Sequence, residues 1–109
     1  ISKSAEKPYL SVLKTFGSES RGLMSFPMRG LTLAMDFPCK QNTTALLHRL
    51  EDITAAHRGR IYFAKDCCMH AMHVEAMYPN IHAFRDVLEK YDPMRRFASR
   101  LTKRLGIRS

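Results

Sequence analysis

The sequence has little of what marks several common protein classes. It has three cysteines in 109 residues, two of them adjacent, which is too few for a disulfide framework. We therefore expect a reducing compartment, with the cytoplasm as the first expectation and association with a membrane surface as a possible addition. No apolar run approaches the roughly 18 residues of a membrane span, and no stretch has the pattern of a secretory signal peptide. The length indicates one small domain or a piece of a larger one.

Glycine is equally sparse. The five glycines are scattered along the chain at Gly17, Gly22, Gly30, Gly59 and Gly106. None of them forms the glycine-rich loop with which dinucleotide-binding or Walker-type sites hold phosphates. No Ser-His-Asp arrangement stands out either. We therefore predict that this segment by itself binds no dinucleotide and shows no turnover.

Acidic residues are outnumbered. There are 18 lysines and arginines against 10 aspartates and glutamates, which gives a net charge of +8. The last stretch is basic throughout, with Arg95, Arg96, Arg100, Lys103, Arg104 and Arg108. Such a stretch could bind the phosphates of nucleic acid or of a phosphorylated ligand, or could be a solvated helix face. No zinc finger, RNP-type strand or GXXG loop supports nucleic acid. The basic stretch nevertheless leaves one alternative function open, a stand-alone basic module that binds nucleic acid or phosphorylated ligands.

Periodicity and helix signals predict an α+β fold of antiparallel strands with helices, an incomplete piece of something larger. The predicted strands are Tyr9–Phe16, Leu31–Phe37 and Arg60–Ala64. Four helices are predicted. The first begins at Asn42 or Thr43 and stops at Gly59, and the second runs from Asp66 to about Met77. The third spans Ile81–Tyr91, and the fourth begins at Asp92-Pro93 and ends near Gly106.

The strand Leu31–Phe37 carries the clearest alternation. Its polar side consists of the small residues Thr32, Ala34 and Asp36, where a core face would have large ones. Such a face suits a ligand cleft, and it also suits a strand that faces solvent. The alternation by itself leaves both possibilities open.

Four residues have the chemistry of metal ligands. They are Cys67, Cys68, His70 and His73, and the two histidines share a face if the segment is helical. Adjacent cysteines on a helix point about 100° apart, however, and would not both reach one ion easily. We expect small buried thiols and partly exposed histidines rather than a zinc site.

Five sequence blocks resemble one enzyme family in their order and spacing. They are YLSVLKTFG, MSFPMRGLTLAMDFP, GRIYFAKD, AMYP and DPMRRFASRLTKRLGI, which together extend from Tyr9 to Ile107. They resemble the C-terminal part of FAD-linked oxidoreductases of the vanillyl-alcohol-oxidase fold. Within that fold the resemblance is greatest to the decaprenylphosphoryl-ribose oxidases and more distant to the aldonolactone oxidases.

The resemblance implies a two-domain flavoenzyme. Residues 1–59 would be the end of the substrate-binding domain, and residues 60–109 a returning segment that packs on an N-terminal FAD-binding domain. FAD would be held mainly by that domain, which explains the missing glycine loop. The full-length protein would oxidise a secondary alcohol, on a sugar or sugar-like substrate, by hydride transfer to flavin. Exposed apolar surface would make the isolated segment prone to self-association.

The resemblance also assigns site residues. Tyr62 and Lys65 fall on the positions beside the flavin, where they would serve in catalysis and cofactor binding. Lys14, Thr32, Ala34 and Asp36 fall on substrate-pocket positions. At Thr32 and Ala34 the lipid-linked ribose oxidase of mycobacteria has asparagine and cysteine, so the resemblance implies the broader class of sugar or alcohol oxidation. It implies no metal and no nucleic-acid partner.

Overall fold

The computed structural model describes residues 6–108, and within them it confirms the α+β class. Two strands form an antiparallel hairpin, and four α-helices follow. The elements are β1 (Leu10–Phe16), β2 (Gly30–Asp36), α1 (Thr43–Ala56), α2 (Val74–Met77), α3 (Ile81–Tyr91) and α4 (Arg100–Arg104). Short 3-10 turns at Phe63–Lys65 and Ala71–His73 lie between α1 and α2.

The hairpin confirms two predicted strands to within a residue or two at their ends. Lys14 pairs with Thr32 across the hairpin, so the two side chains share a face. Two of the alternating apolar residues are largely exposed, Leu31 at 70% and Leu33 at 52%. The polar face of β2 therefore turns toward the helices, which is the reverse of the usual arrangement of a half-buried strand.

Helix α1 begins where the sequence predicts and ends three residues before Gly59. Arg58 adopts a positive φ of 56°, which stops the helix, and the Gly59 N–H donates to the carbonyl of Thr54 at 2.8 Å. A Cβ atom at Gly59 would lie 2.8 Å from Cγ2 of Thr54. Glycine is therefore required here because of the close approach of the chain to the last turn of the helix.

The hydrophobic core lies in the second half of the described chain. It consists of Met69, Val74, Met77, Tyr78, Ile81, Leu105 and Ile107, with Met24, Ala55, Ile61, Phe63, Phe84, Leu88 and Leu101 packed around it. The predicted stripe of α3 is confirmed at its first turn, because Ile81 is completely buried. The core thus joins α2, α3 and α4 to the segment that follows α1.

The prediction of a third strand at Arg60–Ala64 is wrong. Residues 60–62 have no regular secondary structure and pair with no strand in the described part of the chain, and a 3-10 turn begins at Phe63. The carbonyl of Ile61 accepts a hydrogen bond from the Tyr78 hydroxyl at 2.7 Å. The buried Tyr78 side chain thus provides the hydrogen-bond donor that a neighbouring strand would otherwise have provided.

The helix predicted from Asp66 is also wrong over its first half. The Asp66 carboxylate accepts from the N–H groups of Cys68 and Met69, at 3.0 and 2.8 Å, as a capping residue would. His70 is nevertheless extended, and its N–H donates to the Glu51 carboxylate at 2.8 Å. The helix therefore begins only after this bond, with the 3-10 turn that leads into α2.

The predicted helix start at Asp92-Pro93 is wrong for a similar reason. The Asp92 carboxylate accepts from the N–H groups of Phe97 and Arg96, and these bonds hold its pKa below the ordinary value, assisted by the charge of Arg108. Arg95 between them has a positive φ of 52°, so the turn does not continue as a helix. Ser99 caps α4 instead, through a reciprocal capping box with Thr102.

The described chain has an open shape. Its radius of gyration is 15.3 Å, against about 13 Å for a compact domain of this length. Large apolar side chains on both the hairpin and the helices are exposed in this arrangement. Among the described helices, none has the length and apolar character needed to cross a bilayer.

Candidate functional site

One cavity brings together every site residue that the sequence predicts. The cavity has a volume of about 490 Å³ and lies between the polar face of the hairpin, one side of α1 and the segment 60–69. Its lining includes Lys14, Thr32, Ala34, Asp36, Tyr62 and Lys65. The first four come from the hairpin and the last two from the 3-10 turn region, about 30 residues later in the chain. The polar strand face is therefore a cavity wall and not a face open to bulk solvent.

Lys65 is positioned by a carboxylate across the cavity. Its Nζ lies 3.6 Å from Oδ1 of Asp36, although the side chain is 63% exposed. The adjacent Asp66 does not compete for this ammonium, because its carboxylate lies 2.6 Å from Nη2 of Arg104. The ion pair therefore joins β2 to the 3-10 turn and directs the Lys65 ammonium toward the hairpin.

Aromatic rings form another wall of the cavity. The Tyr62 ring lies 4.7 Å from the Phe26 ring, centroid to centroid, and the planes are tilted by 34°. Phe16 meets Phe26 edge to face, at 5.8 Å and 86°. Flat apolar rings beside two lysines give the cavity both a stacking surface and positive charge.

The Tyr62 wall is held by a buried network behind it. Nη1 of Arg60 donates to the carbonyl of Ser25 at 2.8 Å, and Nη2 lies 2.5 Å from the Glu19 carboxylate. The Arg60 guanidinium also lies over the Tyr78 ring, 5.6 Å from its centroid. Burial raises the pKa of Tyr78 to about 12, so its phenol stays protonated and keeps its hydrogen bond to Ile61.

Sequence reasoning missed Phe26 and Arg60 as parts of this site. Phe26 lies in a connection rich in glycine, serine and proline, where no periodicity exists to mark an inward residue. Arg60 lies in the segment for which the sequence predicts a strand. The isolated apolar patch around Phe26 is the one sequence signal for this residue. That patch does not indicate a cavity wall until the packing of Phe26 against Tyr62 is known.

The four potential metal ligands do not converge as one set. His70 lies beside Glu51, and His73 turns to Asp52, with 3.2 Å between Nε2 and the carboxylate oxygen. Burial, with the neighbouring Cys67, raises the pKa of Cys68 to about 12, which disfavours the thiolate that binds metals. Within residues 6–108 the ligand atoms that do converge are those of His48, Glu51 and His70.

Comparison with known proteins identifies the family. Residues 31–105 match the D-arabinono-1,4-lactone oxidase family. The chain belongs to this family of FAD-linked oxidases. The match covers more than half of the chain and includes β2 from Leu31 onward and the four helices of the described residues. It confirms the resemblance to the FAD-linked oxidoreductases.

Two curated relatives extend over most of the chain. One is the uncharacterized protein in mprA 5'region of Streptomyces coelicolor, 39% identical over 97 residues, which are 88% of this chain and 26% of that protein. The other is decaprenylphosphoryl-beta-D-ribose oxidase of Mycolicibacterium smegmatis, 33% identical over 107 residues, which are 98% of this chain and 23% of that protein. The chain thus spans about a quarter of the length of these relatives.

The cavity has the character that a flavin ring requires. An isoalloxazine is flat and largely apolar, and the Phe26–Tyr62 pair offers it aromatic surface. The Lys65 ammonium offers a positive charge for its polar edge. The described residues offer no glycine loop for the pyrophosphate, so the fit is to the ring and not to the whole cofactor.

Proposed function

We propose that this chain supplies the substrate-facing wall of an FAD-dependent oxidoreductase that oxidises a secondary alcohol of a sugar or sugar-like molecule. The observation that supports the proposal is the cavity shared by Lys14, Thr32, Asp36, Tyr62 and Lys65. Sequence positions distant from one another meet there, and they combine aromatic surface, cations and hydroxyl-binding groups. When bound, FAD would supply the acceptor for the hydride from the substrate carbon, and the hydroxyl proton would leave to the Asp36 carboxylate or to water.

Lys65 acts as a fixed positive charge in this proposal. Its ammonium is held by Asp36 and needs little reorganisation when negative charge develops nearby. Tyr62 provides the ring against which the flavin packs, and its own ring is kept in place by Phe26. The two residues therefore hold and polarise the cofactor ring, each supported by a neighbour in the chain.

The hairpin residues bind the alcohol. An ionised Asp36 is an acceptor and can receive the hydrogen bond of a substrate hydroxyl, while Lys14 and Thr32 can donate to other oxygens. Lys14 and Thr32 are register partners and present their groups side by side. Ala34 lies between Thr32 and Asp36 in the same row, and its small side chain leaves space between them. A polyhydroxylated substrate suits such a row of closely spaced polar groups.

The domain arrangement is part of the same proposal. Residues 1–59 end the substrate domain and residues 60–109 return to an N-terminal domain that holds FAD. Exposed apolar side chains at Tyr91, Met94 and Phe97 support this, since Phe97 is 81% exposed although it is large and aromatic. The greater length of the curated relatives leaves room for that domain.

The alternative of a stand-alone basic module has less support. Three of the terminal cations are already engaged inside the chain. Arg95 lies 3.2 Å from Glu89, Arg104 2.6 Å from Asp66, and Arg108 2.9 Å from Asp92. Their charges are therefore largely neutralised locally and are less available for phosphates.

The test is the variant Lys65→Met in the complete flavoprotein. We expect normal flavin content and flavin reduction by sugar or alcohol substrates that is slower by about 10² to 10³. The measurement is anaerobic rapid mixing, first with a panel of substrates and then with the best one. Lys40→Met is the matched control, because Lys40 is exposed and does not line the cavity. Reduction of the Lys65→Met flavin within about threefold of wild type would remove Lys65 from the reaction.

A further inference from the structure

A second cluster of chemically active side chains lies where α1 meets the segment before α2. His48 and Glu51 are three positions apart on α1 and therefore share a face of the helix. His70 approaches that face from the later segment, and its ring lies 4.0 Å from the His48 ring, centroid to centroid. One ligand atom from each of the three residues lies within 4.8 Å of the other two.

Glu51 is an unusual residue for this position. Its carboxylate is 2% exposed, yet its ion pairs in the described part of the chain are with histidines and not with lysine or arginine. Oε1 accepts from the His70 N–H at 2.8 Å, and Oε2 lies 3.1 Å from Nδ1 of the same residue. A buried carboxylate is costly without a full positive charge nearby. Imidazoles provide that charge only when they are protonated, whereas a divalent cation carries it permanently.

His48 is oriented as metal-binding histidines commonly are. Nε2 of His48 lies 3.1 Å from the carbonyl oxygen of Cys68, which can only accept, so this nitrogen carries the proton. The other ring nitrogen of His48 then keeps its lone pair. Metal-binding histidines usually have such a carbonyl or carboxylate partner on the nitrogen that does not bind the ion. In His70, Nδ1 lies 3.1 Å from Oε2 of Glu51, a separation at which both atoms can bind one ion in place of the proton between them.

We propose that His48, Glu51 and His70 bind one divalent transition-metal ion, with zinc as the expected occupant. Two imidazoles and one carboxylate form a ligand set that zinc accepts, with water in the remaining position. Calcium and magnesium prefer oxygen ligands throughout and are disfavoured by the two nitrogens. His70 is half exposed, so the ion can enter from solvent.

The site would lie at the edge of the larger cavity and not within the flavin-binding part. Glu51 and Cys68 belong to the cavity lining, as do Lys65 and Asp66. A metal ion at this point would connect α1 to the segment that carries Lys65. Its role is therefore structural: it would hold the wall that positions the ammonium.

The experiment uses the complete protein, stripped of metal with a chelator and then titrated with zinc in a calorimeter. We expect one zinc ion per chain with the wild-type protein. His48→Gln and His70→Gln each remove one ligand and should weaken binding by at least the roughly 10- to 100-fold that loss of an orienting partner costs. His57→Gln is the control, because His57 is exposed just after α1 and lies outside the cluster. Unchanged affinity in both ligand variants, or no stoichiometric binding by wild type, would overturn the proposal.

X-ray absorption of the zinc-loaded wild type provides a measurement that does not depend on the folding of any variant. The expected zinc environment contains two imidazoles, light oxygen ligands and no sulfur. A sulfur shell would place the ion on Cys67 or Cys68 and would overturn the assignment. Flavin content and turnover are recorded in parallel, so that failure of the metal site is distinguishable from failure of the proposed oxidoreductase function.

Discussion

The helical half of the chain and the hairpin differ in how far they bury their apolar side chains. Val74, Ile81 and Leu105 are completely buried against one another, whereas Leu31 and Leu33 of the hairpin lie largely in solvent. The helical half therefore packs its apolar side chains against one another, while the hairpin contributes its polar face to the cavity and leaves Leu31 and Leu33 largely exposed. We infer from this difference that packing within residues 69–107 supplies most of the free energy of unfolding. The main contribution of the hairpin is to line the cavity.

The largest effect should come from a cavity in the helical core. Ile81→Ala removes three heavy atoms from a fully buried position and should lower the free energy of unfolding by about 2–5 kcal/mol. Val87→Ala on the same helix is the control and should change it by about 0.5 kcal/mol, because Val87 is exposed. The measurement is urea unfolding of the 109-residue chain followed by circular dichroism. Absence of a cooperative transition would contradict the view that this half is stabilised by its own packing.

A smaller effect on the free energy of unfolding should come from removing the Tyr78 hydroxyl, which donates to the Ile61 carbonyl in place of a neighbouring strand. Tyr78→Phe leaves the Ile61 carbonyl without its donor and should cost about 1 kcal/mol. The pKa of Tyr78 is raised from 10.0 to about 12 by burial, so the folded chain holds this proton more tightly than the unfolded chain. Stability contributed by the phenol is therefore complete below about pH 10 and is lost as the pH rises toward about 12.

The pH dependence is measured by urea unfolding at several alkaline pH values. Tyr78→Phe should lack the part of the alkaline destabilisation that the wild type shows in that interval. Tyr91→Phe serves as the control, since Tyr91 is exposed and its replacement should leave the wild-type profile in place. Identical alkaline profiles for wild type and Tyr78→Phe would show that the phenol is not buried in solution.

The smallest effect on stability should come from the hairpin. Leu31→Ser and Leu33→Ser should each change the free energy of unfolding of the chain by about 0.5 kcal/mol, because both side chains already contact water. They should, however, reduce self-association and binding of a hydrophobic dye, which we follow by sedimentation velocity and fluorescence. A loss of stability comparable to that of Ile81→Ala would mean that this face is packed in solution.

Local sequence patterns predicted β2 and α1. The apolar stripe with Gly59 predicted α1 because helix hydrogen bonds join residues four positions apart, and the alternation of Leu31–Phe37 predicted β2 because successive side chains of a strand point to opposite faces. Asp66 and Asp92 are predicted as helix-capping residues, and both carboxylates do accept hydrogen bonds from backbone N–H groups. They failed as helix starts because His70 bonds to a distant glutamate and Arg95 takes a positive φ.

The sequence alone determined the family and the residue types of the site, since its motifs extend along nearly the whole chain. Only the tertiary structure decided that the polar face of β2 lines a cavity, that Lys65 pairs with Asp36, and that His70 meets His48 and Glu51. Each of these contacts joins residues about 20 or more positions apart. No local periodicity encodes such a meeting, because it depends on how α1 and the hairpin pack against the turn that follows them.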